Sequence, residues 1–405
     1  MNIMNTKKLI ISLIAILGLS VSSVVAGGHK YTIDASNYNE HTDKLSPGQL
    51  TMFSAYPETF KMHVYDTGAD CEVPSSVKSI SQSNGTMIND NEGLELPNAG
   101  QIPFPNPTEA QHFMWNMRLN SSLVSSVFRV ATSANVQADG SIIVGQQETN
   151  IVFPRNPNTV SQYADKNIYA MFMQKNLGPP RSAGTTTLVH DFIDSYMQPR
   201  KAWQYNPATR RVRRAPDITY DTVLLAGGGI VVVDQYGGFN GAQDKYDWSY
   251  EGKQTMVVPM NNNDLADNAL ETTHTQFHLN PDFVRYEERD VHVVHGQLKP
   301  GQRHLYASRT FYIMDDDFYG LSVMDAYDEN GDMLRHQFNT IMTGIGGTGS
   351  NECNLQGEYT VDFATRTYTG NNMLGSGISN VTTVYNGEEK PASFFTPDGL
   401  RRYAR

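Results

Sequence analysis

Cysteine is scarce in this chain of 405 residues, where Cys71 and Cys353 are the only two. At most one disulfide can form, and the alternative is two unrelated thiols. An oxidising compartment permits the bridge, and closing so long a loop stabilises by roughly 4–5 kcal/mol in the chain-entropy model. Basic residues are also short: 31 Lys and Arg face 42 Asp and Glu, for a formal charge of -11. That balance argues against nucleic acid, whose binding rests on neutralising phosphates. Long apolar runs are missing beyond Leu9 to Leu19, and that run is about half the ~20 residues a membrane-spanning helix needs.

Motifs for chemistry are missing too. There is no Gly-x-Ser-x-Gly elbow, and no Ser, His and Asp declare themselves as a triad. Gly227-Gly228-Gly229 lacks the spacing and the lysine of a phosphate loop. Asp328-x-Asn330-Gly331 resembles part of a calcium loop, but Gln337 stands where the bidentate glutamate belongs, so a hairpin turn is the better reading. His292 and His295 fall on opposite faces of a strand, and His274 and His278 sit in a Thr-rich stretch that disfavours helix. No metal site and no cofactor are expected, and the chain reads as a non-enzyme.

What is present begins with an export signal. Lys7 and Lys8 precede the apolar core, and Val24 and Ala26 occupy the -3 and -1 positions of a cleavage site after Ala26. Removing both lysines takes the charge from -11 to -13. No Cys follows the core, so a lipoprotein signal is not supported. The expected product is a soluble periplasmic protein with three parts: signal peptide 1–26, flexible leader 27–50, and a single domain 51–405.

Along the chain, Tyr56 to Tyr65 alternates large and polar residues as a half-buried strand does. Asp66 to Gly100 is rich in Asn, Ser, Gly and Asp and reads as an extended loop. The rail Ile102-Pro103-Phe104-Pro105-Asn106-Pro107 leads to Thr108 and Gln111, the spacing of a capping box. Ala110, Phe113, Met114 and Met117 follow at helical spacing, so an amphipathic helix packs on a sheet here. From Leu123 onward the pattern is mainly β, with hairpins at Asp139-Gly140, Pro300-Gly301 and Asn330-Gly331. Asp247 to Tyr250 and Met256 to Pro259 fit strand or short helix. Strands joined by short turns pair antiparallel.

The most unusual stretch is Lys201 to Pro216. Trp203 and Tyr205 lead into Asn206-Pro207-Ala208-Thr209, and the chain returns as Arg210-Arg211-Val212-Arg213-Arg214. Asn and Pro are turn formers, so a β-hairpin is expected, with Arg211 and Arg213 on one face and Arg210, Val212 and Arg214 on the other. The arginines are either a solvated, solubilising strand or a contact for anionic head groups or an acidic partner, since guanidinium suits phosphate and carboxylate.

Several stretches together resemble the bacterial domain-of-unknown-function family 1329, often labelled outer-membrane lipoprotein-sorting proteins. They are Ala55-Tyr56-Pro57-Glu58-Thr59-Phe60, Ile102-Pro103-Phe104-Pro105, Pro179-Pro180-Arg181, Ala183-Gly184, Val189-His190, Gln198 to Pro207 and Arg210 to Pro216. Phe239-Asn240-Gly241, Asp244 to Trp248, Arg285-Tyr286-Glu287, Leu298 to His304 and Phe395-Thr396-Pro397 continue the series in order. The resemblance runs from about residue 55 to the carboxyl end; 66–100 and 342–353 depart from it. That family is similar to the LolA and LolB carriers. The resemblance therefore implies an α+β fold dominated by β: a curved antiparallel sheet, an unclosed half-barrel with helices over its concave face. It also implies periplasmic handling of lipid or another hydrophobic ligand beside inner-membrane exporters of the resistance-nodulation-division type and outer-membrane partners.

The functional expectation is a carrier or chaperone that shields an acyl chain. Phe113, Met114, Met117, Phe311, Ile313 and Val323 are the candidates to line its cavity, and each fits sealed core equally. The alternative is an adaptor that docks an exporter through Arg210, Arg211, Arg213 and Arg214.

Overall fold

A computed structural model describes residues 28–73, 87–90, 92–95, 102–120, 124–156, 158–159, 167–215, 220–224, 227–343, 353–374, 382–385 and 387–405. The expected signal peptide and its cleavage site after Ala26 lie outside the described residues, as does most of the departing stretch 342–353.

Among the described residues the strands are β1 His29–Ile33, β2 Met62–Tyr65, β3 Met87–Ile88, β4 Leu94–Glu95, β5 Ser126–Val136, β6 Ile142–Val152, β7 Ile168–Gly178 and β8 Thr186–Phe192. Next come β9 Lys201–Asn206, β10 Arg211–Arg214, β11 Val223–Leu224, β12 Val231–Val232, β13 Tyr246–Pro259 and β14 Arg285–Leu298. The last are β15 Ser308–Met314, β16 Leu321–Tyr327, β17 Met333–Thr343, β18 Cys353–Asp362, β19 Thr367–Met373 and β20 Thr382–Tyr385. The helices are α1 Pro47–Ala55, α2 Ala110–Leu119, the short α3 Asn263–Asp267 and α4 Leu270–Thr273, and α5 Pro397–Ala404.

Among the described residues sixteen strands form one open sheet in the order β1-β2-β14-β15-β16-β17-β18-β19-β5-β6-β7-β8-β9-β10, with β13 on the other side of β14 and β20 beside β5. The meander β14–β19 and the meander β5–β10 join through Tyr368 opposite Val136. All contacts are antiparallel except β2 with β14, where His63 to Tyr65 run parallel to Arg285 to Glu287. β13 is one continuous strand with a bulge between Tyr250 and Gly252, which resolves the strand-or-helix ambiguity. Gly252 there has φ +105, a conformation that only glycine adopts without strain.

The sheet is strongly curved. β8 and β15 are separated by seven strands in the sheet order. At ~4.8 Å per strand they would stand roughly 38 Å apart if the sheet were flat. Instead, one short chain of hydrogen-bonded polar groups, described below, spans the concave space between them. The opposite face carries the largest core: α1 (Met52, Phe53), Val291 and Val293 of β14, Tyr312 and Met314 of β15, Val323, Phe338, Tyr359 and Tyr368. At the other wing, α5 packs Leu400 and Ala404 on Met171, Met173, Leu188 and Tyr205. Helices therefore lie on both faces of the sheet, and α2 is the one on the concave side.

The flexible leader expected over 27–50 is overturned. β1 pairs with β2, Ile33 is fully buried, and α1 begins at Pro47 inside that stretch. Polarity misled there because the polar residues are structural. Ser46 accepts from the Gln49 backbone N–H at 3.2 Å, the Gln49 side chain accepts from the Ser46 N–H at 2.8 Å, and Gln49 Nε2 donates to the Val257 carbonyl at 2.8 Å. This is a capping box sealed into the core. Gly48 donates its N–H to Asp325 Oδ2 at 2.9 Å, and a Cβ there would lie 2.2 Å from Asp325 and from His336.

Cys71 and Cys353 are bonded to each other across 282 residues. The bridge ties the segment after β2 to the start of β18.

Candidate functional site

Helix α2 fills the concave face. Its N-cap is Glu109, with no side-chain cap, so the capping box expected at Thr108 does not form. Gln111 instead donates to Glu92 Oε2 at 2.8 Å, and Lys299 pairs with the same carboxylate. The β3–β4 turn thus straps the helix to the end of β14. Asn116, fully buried, accepts from the Phe104 N–H at 2.9 Å and donates to the Phe104 carbonyl at 2.7 Å. That two-point bond fixes the proline rail along the helix.

The helix is apolar on two sides, which suits a wedge. Phe113, Met114 and Met117 pack on Phe239, from the loop before β13, and on Val294, Phe311, Ile313, Leu321 and Met324 of the β14–β16 wing. Trp115 and Leu119 pack on Val127, Tyr169 and Ala170 of the β5–β7 wing. The Phe113 ring lies 4.2 Å from His292 and 4.7 Å from Tyr250, centroid to centroid. Five of the six apolar candidates therefore meet in one cluster, and each of the five is at most 1 % exposed. Val323 is not among them. It opposes Tyr312 on the far face, because strand alternation separates it from Phe311 and Ile313. An enclosed pocket elsewhere, between Met52, Phe60, Tyr286 and Phe338, measures about 10 Å³, room for about one water.

Beside the helix runs a chain of buried polar groups. Arg309 of β15 donates to Asp234 through both terminal nitrogens, at 3.0 and 2.9 Å, and to Tyr246 Oη at 2.6 Å. His304 Nε2 faces Asp234 Oδ2 at 3.1 Å, and the Tyr306 hydroxyl donates to Gln235 at 2.7 Å. The Arg309 guanidinium stacks within 4.9 Å of the Phe239 and Tyr246 ring centres. The Asn240 N–H donates to the Asp234 carbonyl at 2.7 Å, and Asn240 Nδ2 donates to Asp191 Oδ2 of β8 at 3.1 Å. Asp191 in turn holds Arg200 at 2.5 and 2.9 Å. This chain joins β15 to β8 and braces the curvature.

Burial alone would raise the Asp234 carboxyl, but Arg309 and His304 outweigh it and hold the group well below the usual carboxylate range. Burial likewise works against charge on Arg309 and Arg200, and the facing carboxylates keep both guanidiniums more strongly protonated than usual.

Several resembling stretches converge here: Val189-His190 just before Asp191, Gln198-Pro199-Arg200, Phe239-Asn240-Gly241, Tyr246 and His304. Gly241 is required by crowding, since a Cβ would lie 2.6 Å from the Phe239 ring and 2.9 Å from Asp234. Asp234 and Arg309 carry no motif of their own; their neighbours Asn240, Tyr246 and His304 stand in stretches that pointed to this place.

The arginine hairpin forms with the expected alternation. Arg211 opposes Asn206 and Val212 opposes Tyr205. The Asn206 side chain accepts from the Ala208 and Thr209 N–H groups at 2.9 and 3.1 Å, and Arg210 closes the loop with φ +55. Val212 leans on the α5 cluster, while Arg210, Arg211, Arg213 and Arg214 are exposed. None of the four forms an ion pair among the described residues.

The sequence model of a family described as a protein of unknown function, DUF1329, matches residues 32–401. An uncharacterized protein of Pseudomonas aeruginosa is 36% identical over 310 residues, covering 75% of this chain and 68% of that one. Among solved structures, a DUF1329 family protein from Desulfovibrio piger aligns with TM-score 0.47 and 12% identity, over 71% of this chain and 96% of its own. A LolA superfamily protein from Nitrosomonas europaea aligns with TM-score 0.41 and 10% identity, over 72% of this chain and 100% of its own. The two structural likenesses are too loose to bear on function.

Proposed function

The chain belongs to the DUF1329 family, and from that premise we propose that it is a non-enzymatic periplasmic carrier of a hydrophobic, acyl-bearing ligand. The observation that carries this reading is the apolar bed beneath α2: Phe239, Val294, Phe311, Ile313, Leu321 and Met324. In the present arrangement Phe113, Met114 and Met117 occupy it. Each such side chain is worth ~1.5–3 kcal/mol of burial, and an acyl chain recovers ~0.8 kcal/mol per CH₂. Roughly six to eleven methylenes therefore match what these three side chains contribute, and ligand can replace them with little net change. The two methionines suit that exchange, since unbranched thioether side chains repack readily. The Cys71–Cys353 bridge supports an oxidising compartment.

The three tryptophans supply a test. Trp115 lies on α2 and Trp248 packs against Phe239 at 5.5 Å, whereas Trp203 belongs to the α5 side of the sheet. A brominated fatty acid quenches nearby indoles. The Trp203→Phe protein should be quenched at stoichiometric ligand, and an organic extract of the native protein should hold lipid. An empty extract together with no quenching rejects the carrier.

A further inference from the structure

Among the described residues one end of the sheet is open: β10 is the last strand in the order and pairs only with β9. The N–H of Ala215 donates to the Ala202 carbonyl at 2.9 Å. By the alternation of an antiparallel ladder, residues 211, 213 and 215 turn their backbone groups toward β9, and Val212 and Arg214 turn theirs outward. An unpaired edge of this kind is a template for another strand. Beside it lies an open hollow of about 500 Å³ lined by Asn206, Thr209, Arg211, Val212 and Arg213.

The chemistry of the edge is cationic. Arg210, Arg211, Arg213 and Arg214 are exposed and without ion pairs among the described residues, in a chain whose net charge is -11. Helix α5, packed against β8, β9 and β10, carries Arg401, paired with Asp398, and Arg402, which donates to the Ser393 carbonyl. Basic side chains on an edge strand also deter self-association, a role that leaves the hollow beside them without a use. A lipid surface is the less fitting occupant, because none of the large apolar residues that stand exposed lies on β9, β10 or α5.

We propose that the β10 edge receives an acidic, extended segment of a partner protein, which adds to the sheet as a strand. Outward backbone groups of Val212 and Arg214 would supply the ladder, and Arg211 and Arg213, two residues apart on one face, would meet carboxylates at alternate positions of the incoming strand. Main-chain bonds give such a contact its affinity and the side-chain spacing gives it specificity. This surface is separate from the bed under α2.

The test uses the mature chain and a fluorescein-labelled nine-residue peptide alternating Glu with Val and Thr, read by anisotropy. Binding is expected and should weaken as salt rises. Arg211→Gln with Arg213→Gln should weaken it at least tenfold. Val212→Pro removes an outward N–H and no ladder bond, so it should abolish binding with an unchanged far-ultraviolet spectrum. The same peptide N-methylated at alternate residues should not bind, which keeps the question open to decision if the proline variant misfolds. Equal binding of the methylated peptide overturns strand addition. So does absent peptide binding, whether or not phosphatidylglycerol vesicles retain the native chain and release the double arginine variant.

Discussion

Asp234 and Arg309 form a two-point ion pair with side chains 1 % and 0 % exposed, at the middle of the concave face. Removing one member of such a pair leaves an uncompensated buried charge. Asp234→Asn should therefore cost about 3–5 kcal/mol, whereas Asp234→Leu with Arg309→Met should cost much less. Urea unfolding of the single and double variants measures the difference.

The disulfide makes a second prediction. Replacing Cys71 and Cys353 by Ser releases a loop of 282 residues. The chain-entropy model assigns such a closure roughly 5–6 kcal/mol, so the double variant should unfold at clearly lower urea and lose its sensitivity to reductant.

Acid should weaken the fold through His274. Burial, only partly offset by its backbone contact, lowers this imidazole to about 4, and burial lowers His278 too. The native state keeps His274 neutral while the unfolded chain takes up a proton below the ordinary value of 6.5. Stability is thus intact above pH 6.5 and falls between pH 6.5 and 4, by up to about 3 kcal/mol. His274→Asn should flatten that part of the curve.

Asp316 works in the opposite direction. Burial raises its carboxyl to about 7 against a small lowering by the Phe318 and Tyr319 N–H groups. The native state holds a proton that the unfolded chain loses above the ordinary value of 3.8, so this group's contribution declines as pH rises from 3.8 to 7. Asp316→Asn should raise stability at pH 8 and leave it little changed at pH 4.

Arg210 offers a stabilising substitution. It sits at φ +55, where a side chain costs roughly 1 kcal/mol. Arg210→Gly should raise the melting temperature by a few degrees, a direction that calorimetry reads directly.

The sheet was legible because its hairpins announce themselves through Asp139-Gly140, Pro300-Gly301 and Asn330-Gly331, and because alternation marks β14 to β18. The apolar side of α2 was legible from the spacing of Phe113, Met114 and Met117. Pairing between distant strands was not: nothing in Tyr368 or Val136 says that they face each other. Strand phase also failed at β16, where Val323 opposes Tyr312 and so alternates away from Phe311 and Ile313, a register that only the pairing of the two strands reveals. The brace was hidden for a different reason. Asp191, Asp234 and Arg309 are ordinary charged residues in sequence, and only burial makes them informative.

β2 has a consequence for how the chain reaches its native state. Its partner residues, Arg285 to Glu287, lie more than 200 positions downstream, and Cys71 must wait for Cys353. β2 is synthesised long before these partners and is therefore among the last elements to find its place, and loop closure over such spans is slow. Until β14 and β18 exist, β1, β2 and α1 have nothing to cover and remain open to proteases and chaperones. Folding of this protein waits on its carboxyl-terminal third, and a chain truncated there loses its beginning as well as its end.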